Sequence, residues 1–129
     1  MALEFTVVLE NKPGTLAHLG HVLGEARVNI DAIHQMSNDQ GSIVQFVPSD
    51  PVGAEKALTD AGVAFTRREV LIVNVLDQPG TLGDVAMVMS DAGVNIDSLY
   101  LMNTGVVILG VDDLDGGKQV TAGMAVNVH

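Results

Sequence analysis

Few side chains in this sequence are equipped for chemistry. His18, His21 and Glu25 fall at i, i+3 and i+7 of one helical stretch, a spacing that can set metal ligands on one face, although three exposed polar residues on a helix surface give the same pattern. Ser37, Ser42, Ser49, Ser90 and Ser98 sit in no motif that supplies a nucleophile with its base and orienter, and Gly116-Gly117 lacks the Lys-Ser/Thr that would follow in a phosphate loop. No catalytic residue, metal or cofactor is therefore expected. More informative are two Pro-Gly turns, Pro13-Gly14-Thr15 and Pro79-Gly80-Thr81. A glycine lets a ligand approach the main chain, and the amides at the start of a following helix carry positive partial charge that suits a carboxylate. The same glycines equally serve a tight strand-to-helix turn.

Composition narrows the partners. Sixteen acidic residues against six basic ones leave a formal charge of −10, which repels phosphate backbones and anionic membranes. Aromatic residues are 3% of the chain, so base-stacking platforms are lacking and nucleic acid is not an expected partner. Cysteine is absent, which removes disulfides, thiol catalysis and thiolate metal sites and fits a reducing compartment. Met1-Ala2-Leu3-Glu4-Phe5 carries no positive charge, and no apolar run approaches the ~20 residues that cross a bilayer, so a soluble, cytoplasmic protein without membrane contact is expected.

The elements that would position the turns come twice. A shift of 66 positions lays Pro13-Gly14-Thr15-Leu16 on Pro79-Gly80-Thr81-Leu82 and Val28-Asn29-Ile30-Asp31 on Val94-Asn95-Ile96-Asp97. Val7/Val73, Val22/Val88, Ala26/Ala92 and Met36/Met102 share that register, which identifies an internal duplication. Each copy opens with a β-branched run, Phe5 to Leu9 or Val70 to Leu76. The helix after it has Leu16, Leu19, Leu23 and Ala26, or Leu82, Val85, Met89 and Ala92, at helical spacing, with Thr15 or Thr81 placed to cap its start and Arg27 or Gly93 at its end. Val28 to Met36 with Ser42 to Val47, and Val94 to Met102 with Val106 to Val111, read as hairpins. In the first copy Asp50-Pro51 starts a second helix that Gly62 ends, and Val63 to Arg68 supplies a fourth strand. In the second, Asp115-Gly116-Gly117 is expected to weaken that helix, and Met124 to Val128 to leave a short last strand. The order βαββαβ predicts an α+β chain of two ferredoxin-like units in tandem, antiparallel sheets with helices on one face, divided as 1–69 and 70–129 with a shortened end to the second. No Gly or Pro interrupts residues 63–76, so no linker separates the copies.

These motifs resemble tandem ACT domains, small regulatory modules that commonly bind amino acids in metabolic enzymes. The resemblance covers both halves and rests on the strand-x-x-Pro-Gly-Thr-Leu-helix openings and the Val-Asn-Ile-Asp strand starts. It implies a non-enzymatic sensor that binds an amino acid or similar zwitterion at interfaces between domains and controls a partner in amino-acid metabolism; the alternative is an oligomerisation module without a ligand. On matching positions it implies a site of Asn11, Lys12, Pro13, Gly14, Thr15, Asn29 and Ile30 in the first copy, and Asp77, Gln78, Gly80, Thr81, Asn95 and Ile96 in the second. An amide offers both donor and acceptor to a zwitterion, whereas Asp77 repels a carboxylate, so the two sites are expected to differ. Asn29 and Asn95 can also serve simply to tolerate a turn before a strand.

The helix Leu82 to Met89 has Asp84 as its one charge and apolar residues on most of its circumference, which points to a homodimer or higher homo-oligomer.

Overall fold

The computed structural model describes residues 1–102 and 104–124. Its elements run β1 (Ala2–Leu9), α1 (Thr15–Glu25), β2 (Ile30–Asn38), β3 (Gly41–Pro48), α2 (Pro51–Asp60), β4 (Thr66–Asn74), α3 (Thr81–Asp91), β5 (Ile96–Leu101), β6 (Val106–Val111) and α4 (Leu114–Met124). Two compact units divide the chain: Leu3–Arg68, and Met1–Ala2 with the chain from Glu69 onward. The fold is α+β and matches tandem ferredoxin-like units. Where two strands, Val63 to Arg68 and Val70 to Leu76, are expected, one continuous strand β4 runs through the division, because nothing between them breaks an extended backbone. Among the described residues no helix is long and apolar enough to cross a membrane.

In the first unit β3 lies between β1 and β2, all antiparallel, with Val7 opposite Val44 and Ile33 opposite Phe46. Alternation sends Phe5 and Val7 of β1 and Val44 and Phe46 of β3 to one face, where Leu19 and Leu23 of α1 and Ala54 and Leu58 of α2 close the core. Phe5 stacks on Phe46 with ring centroids 5.5 Å apart. The second unit repeats this arrangement: β6 pairs with β4 and β5, Val73 lies opposite Val107, and Val85 and Met89 of α3 cover Leu71, Val73, Val107 and Leu109.

Past the hairpin the repeat is still intact, but its offset has dropped to 63. Val44 corresponds to Val107, and the second helix of each unit starts on an aspartate: Asp50 Oδ1 accepts from the Gly53 amide and Asp113 Oδ1 from the Gly116 amide, both at 3.0 Å. The expectation that Asp115-Gly116-Gly117 weakens the helix is thereby corrected, since α4 runs 11 residues from Leu114. The glycines answer to close packing: a Cβ on Gly116 would strike the Asp113 carboxylate, and one on Gly117 would come 2.7 Å from Leu71 Cδ1 and 3.1 Å from Val111 Cγ2. Of the expected strand Met124 to Val128, Met124 belongs to α4 and the rest lies outside the described residues, as does Asn103 of the hairpin tip.

Helices α1 and α3 end alike. Arg27 (φ 59) and Gly93 (φ 72) take the left-handed conformation, and the next amides, Val28 and Val94, donate to Leu23 O at 3.0 Å and Met89 O at 2.9 Å. The two aspartate caps give a direct test of the shared helix start: Asp113→Ala and Asp50→Ala should each lower the free energy of unfolding by about 1 kcal/mol, read from urea midpoints. A neutral Asp113→Ala would show that α4 does not depend on its cap.

Candidate functional site

The turn between the first strand and first helix of each unit is built from main-chain geometry. Gly14 (φ 94) and Gly80 (φ 91) occupy the position before α1 and α3 in the left-handed region, and a Cβ on either would meet nothing within 4 Å. Glycine is thus required by the backbone conformation, which L-residues adopt at a cost, while the space beside it stays open. Two residues earlier the turns agree again, Lys12 N donating to Glu10 O and Gln78 N to Leu76 O, each at 3.0 Å. The expected capping by Thr15 and Thr81 is not formed: neither helix start has a side-chain cap, because the glycine already holds that position. The Thr15 hydroxyl instead lies near two turn carbonyls, Glu10 O at 2.8 Å and Lys12 O at 3.1 Å. Lys12 is engaged locally. Its ammonium is 2.9 Å from Glu10 Oε2, and this hydrogen bond, reinforced by charge attraction, holds the Glu10 carboxyl below its ordinary pKa and Lys12 above its own.

Asn11 faces the tip of the β2–β3 hairpin. Its Oδ1 accepts from Ser37 Oγ at 3.3 Å and Ser42 Oγ at 3.4 Å, and the two hydroxyls are 2.6 Å apart. Ser42 is buried, and Ser37 lies opposite it across the ladder. Sequence reasoning considered these serines only as nucleophiles and missed this role; the signal was their symmetric placement about the hairpin tip. Among the described residues the second unit shows no such arrangement. Its shorter hairpin puts Gly105 where the first unit has Ser42, and Asp77, exposed, has no hydrogen-bonding partner among the described residues.

At the far end of α1 and α3, Asn29 and Asn95 lie exposed just before β2 and β5, followed by half-buried Ile30 and Ile96. Their backbones are pinned: Asn29 O accepts from Ser49 N at 2.9 Å, and Asn95 O from Asp112 N at 3.1 Å. In the second unit Asp112 Oδ1 also takes the Asn95 amide hydrogen at 2.9 Å, whereas in the first the corresponding Ser49 Oγ donates to Asn29 O at 3.2 Å. Both side-chain amides remain without an internal partner among the described residues. Within a unit the glycine turn and the asparagine stand at opposite ends of an 11-residue helix, about 16 Å long. No small ligand can touch Asn11 and Asn29, or Asp77 and Asn95, of the same unit.

The sequence model of a family described as an ACT domain pair matches residues 1–127. The chain belongs to that family. Among solved structures it is similar to protein BT0572 from Bacteroides thetaiotaomicron, with 29% identity, a TM-score of 0.88, and 96% of this chain and 88% of that one covered. It also shares its fold with the ligand-free regulatory subunit of aspartate kinase from Thermus thermophilus (14% identity, TM-score 0.72, 99% and 92% covered) and with part of E. coli aspartokinase III crystallised with lysine and aspartate (16%, 0.58, 98% and 31%). No match was found among curated protein sequences.

In the second ACT unit the two ends open into separate hollows. Asp77, Gln78, Gly80 and Thr81 line one of about 100 Å³ with Leu101 and Gly105, while Asn95 and Ile96 line an open trough of about 410 Å³ with Ser90 and Gly93. A third, of about 300 Å³, shares Gln78 and Thr81 but extends along α3 to Asn74, Asp84 and Val88, residues that the turn motif does not mark. His18, His21 and Glu25 are exposed on α1, and no group of three metal-ligating side chains gathers among the described residues. The open space beside Gly14 separates conformation from contact. Gly14→Ala should cost about 1–2 kcal/mol through its positive φ without a clash; an unchanged urea midpoint would mean the turn can relax to negative φ.

Proposed function

We propose that this ACT domain pair is a regulatory sensor that binds an amino acid or similar zwitterion and passes its occupancy to a partner in amino-acid metabolism. The observation that carries the reading is the pairing of two ends in the first unit: a helix start at a glycine turn with no side-chain cap at one end, and the side-chain amide of Asn29, without a partner among the described residues, at the other. The first suits a carboxylate, and the second can accept from an ammonium group. Because about 16 Å separates them within a unit, a complete site requires the turn end, Asn11, Lys12, Pro13, Gly14 and Thr15, to meet Asn29 and Ile30 of a second copy of the chain. The regulatory fold of the aspartate kinase subunits supports an enzyme partner by analogy of fold. Regulation then follows from linkage, a ligand favouring the apposed arrangement by no more than its differential affinity for it.

One observation favours a ligand-free interaction role for the corresponding ends of the second unit. Asp77 replaces the asparagine at the turn end, and so puts a carboxylate where a zwitterion's own carboxylate would need a donor. Asp77, Gln78, Gly80, Thr81, Asn95 and Ile96 are therefore proposed as the weaker of the two turn-and-asparagine sites.

Thermal-shift measurement with each common amino acid tests the reading. A ligand at 100 times its dissociation constant adds about 2.7 kcal/mol to the native state, and Asn29→Ala should remove that gain while Asp77→Ala largely spares it. Stabilisation by no amino acid, or its loss only with Asp77→Ala, would sink the proposal. Assembly is tested separately. Val85 and Met89 are spent on the unit's own core, but Met87 is 61% exposed, and Leu82 and Val88 are also exposed on α3. If that face joins two chains, Met87→Asp should convert a dimer or larger species to monomer by burying an unpaired carboxylate. A monomeric wild type in sedimentation at micromolar concentration would refute it.

A further inference from the structure

We infer that Ser37 and Ser42 are positioning residues for Asn11. They hold its carboxamide by the oxygen and so present its Nδ2 hydrogens to the ligand, which makes the group received at the turn a carboxylate bound by neutral donors. The carboxylate it assigns rests on the reading of this turn as half of a zwitterion site.

Ser42 is 1% exposed, and Ser37, opposite it across the ladder, stands at the surface. Their oxygens are 2.6 Å apart, so one of the two hydroxyl protons lies between them. The other proton needs an acceptor. Among the described residues the one within reach is Asn11 Oδ1, 3.3 Å from Ser37 Oγ and 3.4 Å from Ser42 Oγ. A buried hydroxyl without an acceptor is costly, so the cluster favours the amide with its oxygen inward. A planar carboxamide held in that way turns its nitrogen away from the serines, and that nitrogen only donates. Lys12 does not supply the cation here, since its ammonium is 2.9 Å from Glu10 Oε2.

A mere tie between turn and hairpin would not call for an amide. The hairpin tip is already closed by Asn38 Oδ1, which accepts from the Gln40 amide at 2.8 Å. In the second unit both partners change together: Asp77 stands for Asn11 and Gly105 for Ser42. Gly105 has φ 83, and a Cβ on it would come 2.5 Å from Val75 O, so no side chain fits where Ser42 sits in the first unit. A carboxylate has no donor to orient, and the position that would orient it is bare.

The full-length chain is followed by NMR through the Asn11 Nδ2 group, with sodium acetate and methylammonium as the two probes. In the wild type that amide should be ordered, and acetate should move its proton signals downfield while methylammonium leaves them in place. Ser37→Ala combined with Ser42→Ala should lower its order parameter below about 0.6 and weaken the acetate response about fivefold, the worth of one hydrogen bond. Ser37→Thr keeps a hydroxyl and should retain both properties. Signals of Leu19 and Val44 report that each variant keeps its core, and Ser37→Ala alone, at the surface, carries the same comparison if the double variant does not fold. An amide that stays ordered without the serines overturns the inference, as does a response to methylammonium rather than acetate, or to neither. Amino acids that stabilise the double variant as much as the wild type also overturn it, while leaving the sensor reading intact. An acetate response without stabilisation by any amino acid supports the positioning and sinks the zwitterion reading.

Discussion

Each unit must turn an extended strand into a helix that folds back over its own sheet within a few residues, and a left-handed backbone at one position makes this possible. Gly14 and Gly80 hold φ values of 94 and 91, a region in which a Cβ is unfavourable. From that reversal follow the burial of Leu19 and Leu23 against Phe5 and Phe46, and of Val85 and Met89 against Val73 and Leu109. It also leaves the start of both helices without a side-chain cap, because the cap position is taken by a residue with no side chain.

The duplicated units show which parts of the fold are held by packing and which are not. Three residues fewer in the second hairpin leave the ladder in register, because Val7 opposite Val44 and Val73 opposite Val107 face the same kind of core. The tips have no such constraint. The first keeps a cluster of Asn11, Ser37 and Ser42, and in the second Asp77 and Gly105 stand in place of Asn11 and Ser42. Away from the core the copies also differ in charge: Ser49 becomes Asp112 beside the asparagine, and His18 becomes Asp84 on the helix flank. Burial preserves volume and register, while surface positions are free to take on separate chemistry.

Much of this was legible in the residues. Alternation and 3.6-residue periodicity located the strands and helices of both copies, since burial of one face imposes those patterns. Three local readings failed for identifiable reasons. Thr15 and Thr81 are good capping residues, but a glycine one position earlier already occupies the cap. Gly116 and Gly117 weaken an isolated helix, yet here they admit the Asp113 carboxylate and the side chains of Leu71 and Val111. The adjoining strands Val63 to Arg68 and Val70 to Leu76 merged into one, as nothing between them required a turn. Glu4 is a further case: a charged residue in an apolar strand, almost wholly buried, with Arg68 Nε 2.9 Å from its carboxylate. A contact spanning 64 residues leaves no local pattern to read.

The residue order by itself determined the duplication, the element types and the two glycine turns, because repeats, periodicity and backbone preference are properties of neighbours along the chain. It also marked Asn11, Asn29, Asp77 and Asn95 as the polar residues of interest. Only the tertiary structure decided that turn and asparagine lie at opposite ends of each helix, that Asn11 is tied to Ser37 and Ser42, and that Asp112 takes the Asn95 amide. It alone gathered Asn74, Gln78, Thr81 and Asp84 along one hollow with Val75, Val85 and Val88. These are distances between side chains carried on different elements, and they are set by how the elements pack, which sequence spacing does not encode.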